Sequence, residues 1–339
     1  MTTSVSRLIV ERRGEWLDWP VERLVFGTDD PDSISAEVDR FCLEQLGSPI
    51  DEPYFFESSV GSVFGLRLAD GRQVVVKAHQ PNEPLEALRA VHSVQSRLAA
   101  SGFPCPRPVL EPTPLGSWYA TAEELRSEGE WADAHDPSVR RAMAETLARL
   151  IDVGRGFVDL PGLRPGLLSR IPEGQLWPEP HSAIFDFEAT AAGAEWIDEL
   201  AARARELLRR PAGQRVVGHV DWSVKHFRFV DGGVAAIYDW DSLAVGPEPV
   251  IVGEAARSFT FTWRLPVRLA PSLAESRAFV AEYGAARGVA FTPAERETAG
   301  AAAVYGLAYT ARCEHCLRKI EPGNALAALA AHGEELFAL

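Results

Sequence analysis

The sequence predicts an α+β fold in two lobes: a small, β-rich N-terminal lobe and a larger, mostly helical lobe. The chain has 339 residues, which is long enough for two domains. Residues 54–79 alternate in polarity and are rich in residues that favour strands. From about residue 126, apolar residues recur at helical spacings of three and four. These observations divide the chain into three parts. They are an N-terminal extension with a helix at 1–50, a sheet lobe at 51–125 and a helical lobe at 126–339.

The elements of the first lobe follow one another closely. An amphipathic helix begins after Asp32 or Ser33, either of which can cap it, and Gly47 can end it. Two strands then flank a loop of small residues at 58–62, and Asp70-Gly71 predicts a tight hairpin. A helix over 84–100 and a short strand near 117–120 complete this lobe.

The second lobe contains long helices and one hairpin. Asp136-Pro137 supplies an N-cap and an N1 proline for the first helix. Further helices are predicted over 189–210 and 271–285, and from Thr292, where TPAE forms a capping box. Residues 216–242 form a hairpin whose turn is Asp231-Gly232-Gly233.

Composition and charge exclude several classes of function. The net charge of −14 and the sequence pI of about 5.1 argue against a nucleic-acid or anionic-membrane partner. We expect a cytoplasmic protein without a membrane span, because the first residues have no signal-peptide pattern and no apolar run reaches membrane length. Cys313 and Cys316 are interpreted as helix cysteines, since no second ligand pair completes a zinc site. The oligomeric state is left open.

Carboxylates stand at both ends of the hairpin 216–242. Asp221 precedes its first strand and Asp239 follows its second, so an antiparallel hairpin brings the two together. Two adjacent carboxylates repel each other unless a cation lies between them, and Mg²⁺ accepts such ligands together with phosphate oxygens. The pattern favours phosphoryl transfer, in which an acid orients a hydroxyl and accepts its proton.

The first lobe contains features typical of phosphate binding. The loop of Ser58, Ser59, Gly61 and Ser62 allows backbone N–H groups to approach phosphates. Lys77 ends an apolar strand and shares a face with Val75 by alternation. Val75 would support a flat base while Lys77 holds phosphate.

These motifs, in this order, resemble those of the aminoglycoside phosphotransferase family, the small-molecule kinases with the protein-kinase-like fold. The family's H-G-D-x-x-x-x-N is represented here by His219-Val220-Asp221 and, five residues after the aspartate, by His226. Its I-D-W-E motif is represented by Tyr238-Asp239-Trp240-Asp241, followed by Gly246 and Pro249. The resemblance covers most of the chain after residue 50.

The resemblance implies a nucleoside triphosphate (ATP or GTP), Mg²⁺ or Mn²⁺, and a small-molecule hydroxyl acceptor. Asp221 would be the catalytic aspartate, and His219 in the same motif would brace the catalytic loop. Asp239 would hold the metal ion, and Lys77 the α and β phosphates under the loop of small residues. The hinge that meets the adenine edge would comprise Glu123, Glu124 and Leu125.

Departures from the family pattern leave several points open. His226 replaces a metal-binding asparagine, so it is a direct ligand, a ligand that favours Mn²⁺, or a residue acting through water. Val252 stands where an acid is common, and the helical partner of Lys77 is either Glu86 or His92.

Alternatives to a kinase also remain at this stage. They are a kinase-fold pseudoenzyme that binds nucleotide without phosphoryl transfer, a metal-dependent hydrolase and a merely solvated hairpin. The acidic composition is compatible with an amine-bearing acceptor, such as an aminoglycoside or amino sugar, and a simple sugar or alcohol is an equal alternative.

Overall fold

The chain divides into two units, a β-rich one and a mostly helical one. The computed structural model describes residues 4–13, 21–166, 171–180, 182, 184–318 and 323–339. The first unit comprises Met1–Ser127 with Leu160–Gly162, and the second comprises Glu128–Asp159 with Leu163–Leu339. The lobe boundaries at residues 50 and 125 stay predictions.

The first unit contains a five-stranded antiparallel sheet. Its strands lie in the order β1-β2-β3-β5-β4. The predicted hairpin at Asp70-Gly71 joins β2 to β3, with Gly71 at a φ of 88°. Their bounds are β1 Ile50–Ser58, β2 Ser62–Leu68, β3 Gln73–Ala78, β4 Pro108–Leu115 and β5 Trp118–Glu124.

Strand β4 was not predicted. The prolines at 104, 106 and 108 were interpreted only as the end of the preceding helix, α4, which the structure places at Leu85–Ala100. However, β4 lies at the edge of the sheet, where proline is tolerated because one side of the strand has no ladder partner. Strand β5 is correspondingly longer than the segment predicted at 117–120.

Helices from the first 50 residues cover one face of this sheet. They are α1 Val5–Arg13, α2 Val21–Phe26 and α3 Pro31–Phe41, and their buried side chains share a core with Phe64 and Val76. The predicted cap of α3 is wrong. Asp30 caps this helix by accepting from the N–H of Ser33 at 2.8 Å, and Pro31 takes the first helical position.

The helical unit is organised around one long buried helix, α9. Contacts of α9 with α6, α7 and α10 form most of this core. The capping box of Thr292 and Glu295 at the start of α9 is confirmed, as is the Asp136 cap of α5. The helix bounds are α5 Pro137–Gly154, α6 Glu195–Leu207, α7 Glu248–Ser258, α8 Leu273–Arg287, α9 Pro293–Cys316 and α10 Ala325–Leu336.

Helix α6 is shorter than the predicted 189–210. Gly193, with a φ of 82°, interrupts the helical backbone before Glu195. The preceding turns are held by the buried guanidinium of Arg312, which donates to the carbonyls of Thr190 and Phe187 at 3.2 and 2.6 Å. Local periodicity predicted a helix here, but these tertiary hydrogen bonds stabilise turns instead.

The predicted hairpin 216–242 consists of two short ribbons. An outer ribbon pairs β6 Arg215–His219 with β9 Leu243–Pro247. An inner ribbon pairs β7 Phe227–Val230 with β8 Gly233–Ile237, and its turn is at Asp231-Gly232, both with positive φ. The segments 220–226 and 238–242 lie between the two ribbons, where their side chains are released from strand alternation.

The remaining predictions concern cysteine and the membrane. Cys313 is buried on α9, and burial raises its pKa to about 12, so the thiol stays protonated. Cys316 is only partly buried and contacts the hydroxyl of Thr190. Among the described residues, no helix combines the length and apolar character needed to cross a membrane.

Replacing Gly253 by alanine is expected to destabilise the helical unit. A Cβ at this position of α7 would lie 2.1 Å from the carbonyl oxygen of Ala299 on α9. Overpacking of this kind costs about 1–3 kcal/mol. The melting temperature of Gly253→Ala should therefore fall clearly, as measured by circular dichroism. Gly156→Ala is the matched control, because a Cβ there meets nothing within 4 Å. Equal melting temperatures for the two variants would contradict the packing described.

Candidate active site

His219 occupies the end of β6, between the two ribbons, and is fully buried. Its Nε2 donates to the carbonyl of Tyr238 at 3.2 Å, and its Nδ1 accepts from the N–H of Asp221 at 3.3 Å. Burial and the nearby His226 lower the pKa of His219 to about 4. The ring is therefore neutral and both of its nitrogens are engaged, as the predicted bracing role of His219 requires, and that role stays a prediction.

Two tryptophans hold the ring of His219 from different directions. Trp222 and Trp240 both meet it edge-on, with ring centroids at 5.7 and 5.8 Å. Both indoles are buried and donate to backbone carbonyls, Trp222 to Met143 and Trp240 to Ile237. Each tryptophan directly follows one of the two aspartates, so the packing around His219 fixes the backbone on which each carboxylate stands.

Asp221 carries the most heavily contacted carboxylate of the described site. Its Oδ1 accepts from the Ser223 hydroxyl at 2.5 Å, and its Oδ2 lies 2.9 Å from both Lys225 Nζ and His226 Nε2. Burial opposes ionisation, but the charges of His226 and Lys225 and the hydrogen bonds outweigh it and hold the pKa of Asp221 well below its usual range. The side chain is 35% exposed, so this carboxylate also faces solvent.

Asp239 follows β8 in a left-handed backbone conformation, with a φ of 66°. Aspartate is one of the few non-glycine residues that adopt this conformation, at a cost of roughly 1–2 kcal/mol. Its Oδ2 accepts from the Ser242 hydroxyl at 3.0 Å and lies 3.7 Å from Nε2 of His226. The turn therefore directs the carboxylate of Asp239 towards His226.

The structure brings together the three side chains that the sequence assigns to metal binding and catalysis. One potential ligand atom each from Asp221, His226 and Asp239 lies within 4.8 Å of the others. Two carboxylates and an imidazole suit a divalent cation, with the imidazole better matched to Mn²⁺ than to Mg²⁺. In this arrangement Nε2 of His226 donates to Asp221, so direct coordination through Nε2 would replace that hydrogen bond.

The loop of small residues lies at one end of the sheet in the first unit. Ser58 ends β1 and Ser62 begins β2, and the N–H of Ser59 donates to the carbonyl of Gly61 at 3.1 Å. A Cβ on Gly61 would lie 2.8 Å from the carbonyl oxygen of Ala78, so this loop packs closely against the end of β3. Ser62 is fully buried, which directs its side chain away from solvent.

Lys77 and Val75 lie on β3, on the face opposite the core shared with the N-terminal helices. Lys77 pairs with Thr121 and Val75 with Glu123 in the adjacent strand β5. Lys77 is adjacent in sequence to Ala78, against which the Gly61 loop packs. The structure thus places the predicted phosphate-binding lysine beside the predicted phosphate-binding loop, and their role stays a prediction.

The residues predicted to form the hinge are the end of β5 and its continuation. Glu123 is buried and accepts from Nε2 of Gln95 on α4 at 2.6 Å. Glu124 pairs with Arg107, and the N–H of Leu125 donates to the carbonyl of Gln73 at 3.0 Å. Both carboxylates and the N–H groups of Glu124 and Leu125 therefore have protein partners, and the role of this segment as a hinge stays a prediction.

The helix α4 carries both candidate partners of Lys77. Glu86 is an exposed residue in its first turn, whereas His92 is half-buried, and burial lowers the pKa of His92. Which of the two serves Lys77 stays a prediction. Gln95 of α4, which was not predicted from the sequence, donates to Glu123 of the sheet.

Sequence reasoning also missed two contacts of the catalytic carboxylate, Ser223 and Lys225. Both lie inside the six-residue loop from Asp221 to His226. No helical spacing signalled the Lys225 contact, because the short helical turn at Val224–His226 begins after Asp221. Lys225 also lies 5.1 Å from the ring centroid of Trp263, a residue distant in sequence.

The helical unit contains a hairpin with two paired carboxylates, and the β-rich unit contains an antiparallel sheet with a lysine and a loop of small residues. Together these features define a phosphotransferase of small molecules. The chain belongs to the APH group described as the "Phosphotransferase enzyme family", whose model matches residues 60–297. This confirms the resemblance noted from the motifs. No curated protein sequence matches the chain.

Solved structures support the same fold. The chain is similar to the amicoumacin kinase hAmiN in complex with AMP-PNP, Ca²⁺ and Ami, with a TM-score of 0.60 and 12% identity over 84% of this chain and 87% of that one. It is also similar to spectinomycin phosphotransferase APH(9)-Ia in complex with ADP and spectinomycin, with a TM-score of 0.56, 12% identity and coverage of 88% and 98%.

A choline/ethanolamine kinase family protein from Mesorhizobium loti is a third similar structure. Its TM-score is 0.53 and its identity 15%, with 90% of this chain and 92% of that chain covered. The predicted protein-kinase-like α+β fold, with a sheet in the N-terminal part and helices in the C-terminal part, is confirmed.

Replacing His219 by asparagine is expected to reduce kcat without changing the shape of the pH–rate profile. The variant loses the bridge between Asp221 and Tyr238, and removing such a supporting contact typically costs 10- to 100-fold. Steady-state kinetics from pH 5.5 to 9 would measure both quantities. If the variant lost one limb of the profile, His219 would be a proton carrier rather than a positioning residue.

Proposed function

We propose that this enzyme transfers the γ-phosphoryl group of ATP or GTP to a hydroxyl of a small molecule. The observation that supports this reaction is the carboxylate of Asp221, held ionised by His226 and Lys225 at the mouth of the hairpin and facing Asp239 across His226. Membership of the phosphotransferase family supports the same reaction class. No feature of the described site favours a pseudoenzyme or a hydrolase over a phosphotransferase.

In this proposal Asp221 orients the acceptor hydroxyl. Before a cation binds, its Oδ1 accepts from Ser223 and its Oδ2 from His226 and Lys225, and Ser223 and Lys225 would still hold the carboxylate when His226 binds the cation. A carboxylate with a strongly lowered pKa is a weak base. Its main contribution is therefore to hold the hydroxyl in line and to accept the proton late, when the oxygen–phosphorus bond has largely formed.

Asp239 and His226 would hold the divalent cation, Mg²⁺ or Mn²⁺. Such a cation would neutralise part of the negative charge on the nucleotide phosphates. The left-handed backbone at Asp239 and its hydrogen bond from Ser242 aim the carboxylate at the shared site. Because the imidazole of His226 replaces an amide oxygen, we expect the balance between the two metals to move towards Mn²⁺.

The nucleotide would be held by residues of the β-rich unit. Lys77 would contact phosphates, the Ser58–Ser62 loop would cover them, and Val75 would support the base. Backbone groups near Glu123–Leu125 would meet the edge of the base, which leaves ATP and GTP as alternative donors. We further propose that the protein acts in the cytoplasm, without nucleic-acid or membrane partners.

Replacing Asp221 by asparagine is expected to lower kcat at least a hundredfold while leaving the melting temperature nearly unchanged. The amide keeps the shape of the side chain but cannot accept the proton of the acceptor hydroxyl. Acceptor-dependent release of nucleoside diphosphate measures this loss. Asp231→Asn is the matched control, because Asp231 lies in the exposed turn of the same hairpin. If Asp221→Asn kept most of the activity, Asp221 would not be the catalytic aspartate.

Replacing His226 by asparagine is expected to raise the ratio of Mg²⁺-supported to Mn²⁺-supported activity. An amide oxygen suits Mg²⁺ better than an imidazole nitrogen does. Initial rates with each metal over a concentration series would measure the ratio, and Asp239→Asn should weaken activation by both metals. An unchanged ratio in active His226→Asn protein would show that this histidine does not bind the metal.

A further inference from the structure

A band of cations and aromatic rings runs beside Asp221 in the helical unit. Lys225, which contacts Asp221, lies 5.1 Å from the ring centroid of Trp263. Arg264, the next residue, lies 5.4 Å from the ring of Trp131, and Arg228 lies 4.1 Å from that same ring. Arg228 also lies 5.5 Å from the ring of Tyr238, which precedes Asp239. We call these residues the cationic band: Lys225, Trp263, Arg264, Trp131, Arg228 and Tyr238.

The backbone beside Trp263 is fixed to the catalytic loop. The N–H groups of Val224 and Lys225 donate to the carbonyls of Phe259 and Phe261 at 2.9 and 3.2 Å. Thr260 closes the same segment by donating its hydroxyl to the carbonyl of Leu269 at 2.7 Å. The indole of Trp263 is nevertheless 65% exposed. An apolar ring of this size is thus held in solvent beside the catalytic carboxylate.

Trp131 is fixed to the inner ribbon in a comparable way. The N–H of Glu130 donates to the carbonyl of Phe229 at 3.0 Å, and the N–H of Phe229 donates back at 2.9 Å. Gly129 allows this close approach, because a Cβ there would lie 2.8 Å from the carbonyl oxygen of Phe229. The indole of Trp131 is 40% exposed. Both tryptophans therefore combine a fixed backbone with an exposed ring.

The charge of this band is opposite to that of the whole chain. The chain carries a net charge of −14, yet Arg228 and Arg264 place two guanidinium groups along the aromatic rings, next to Lys225, whose ammonium is paired with Asp221. Like charges repel an approaching polyamine, and the repulsion is strong where the surroundings are only partly solvated. Exposed indole rings, by contrast, provide faces on which flat apolar groups stack.

We propose that the acceptor of this enzyme is a neutral or acidic hydroxyl compound that presents a flat apolar face, such as an aromatic ring or one face of a sugar, to Trp263, while the guanidinium groups that lie over Trp131 face its polar groups. This inference rests on the proposed phosphotransferase function and names the substrate class of that site. It replaces the amine-bearing acceptor with which the net charge is compatible, because the groups beside Asp221, rather than the total charge, act on the acceptor at short range.

Binding can test this inference separately from catalysis. Two triplets of hydroxyl compounds each keep a common ring scaffold and vary the charge of one substituent: phenylethanolamine, phenylethanediol and mandelate, then glucosamine, N-acetylglucosamine and glucuronate. Dissociation constants would be measured by ligand-observed NMR on the full chain, with and without Mg²⁺ and a non-hydrolysable ATP analogue. We expect the cationic member to bind at least about tenfold more weakly than its partners at low salt, with a smaller gap at high salt.

Variants of the cationic band sharpen the test. Arg264→Glu should reverse the order of affinity within each triplet. Arg203→Glu is the matched control. Arg203, on α6, is also an exposed arginine that lies over an aromatic ring, that of Phe337. Trp263→Ala should raise the dissociation constant of the bound compounds at least about tenfold without lowering the melting temperature, and Trp263→Phe should restore most of the affinity.

The outcomes separate the two proposals. Tighter binding of the cationic members, or no binding by any neutral or acidic compound, would overturn the substrate class. An order of affinity that Arg264→Glu and Arg203→Glu change equally would also overturn it, since net charge would then be the cause. Failure of the proposed function appears differently: compounds bind as expected, but no acceptor supports Asp221-dependent release of nucleoside diphosphate.

Discussion

The buried imidazole of His219 is the contact on which the geometry of the site depends. One of its nitrogens accepts from the backbone of Asp221, and the other donates to the backbone of Tyr238, next to Asp239. These bonds join two loop segments that leave the strand ladders, and they add to the backbone bonds from Val220 to Ser242 and from Tyr238 to His226. Buried polar groups must be satisfied, and here a single neutral ring satisfies both segments while two indoles pack around it.

The charged groups close to Asp221, rather than the net charge of the chain, determine the electrostatics of the site. Asp221 stays ionised because His226 and Lys225 surround it, and Lys225 also contacts the exposed ring of Trp263. The same lysine thus belongs both to the surroundings of the catalytic carboxylate and to the proposed acceptor surface. A change of acceptor charge would act on Asp221 through this residue. Acceptor choice and the orientation of the reacting hydroxyl are therefore physically coupled.

The N-terminal segment before residue 50 contributes to the stability of the β-rich unit. Its helices cover the sheet face opposite Val75 and Lys77, so that face has its own core. The other face carries Val75 and Lys77, and on it Val75 is buried beside Glu123, which accepts from Gln95 of α4. The Gly61 loop also approaches Ala78 closely, so backbone atoms form the end of the sheet next to Lys77.

The sequence by itself determined the α+β class, the hairpin turns and the pairing of Asp221 with Asp239, because these follow from alternation, turn residues and antiparallel geometry. Strand β4 was not predicted, because its edge position tolerates the prolines that indicated a break. The start of α6 was wrong because the buried Arg312 holds the preceding turns. The cap of α3 was wrong because Pro31 takes the first helical position. Only the tertiary structure decided that the ring of His219 is buried and neutral, that Trp263 lies against Lys225, the ion-pair partner of Asp221, and that Trp131 lies against Arg228. These depend on burial and on contacts between residues far apart in the chain, which no local pattern encodes.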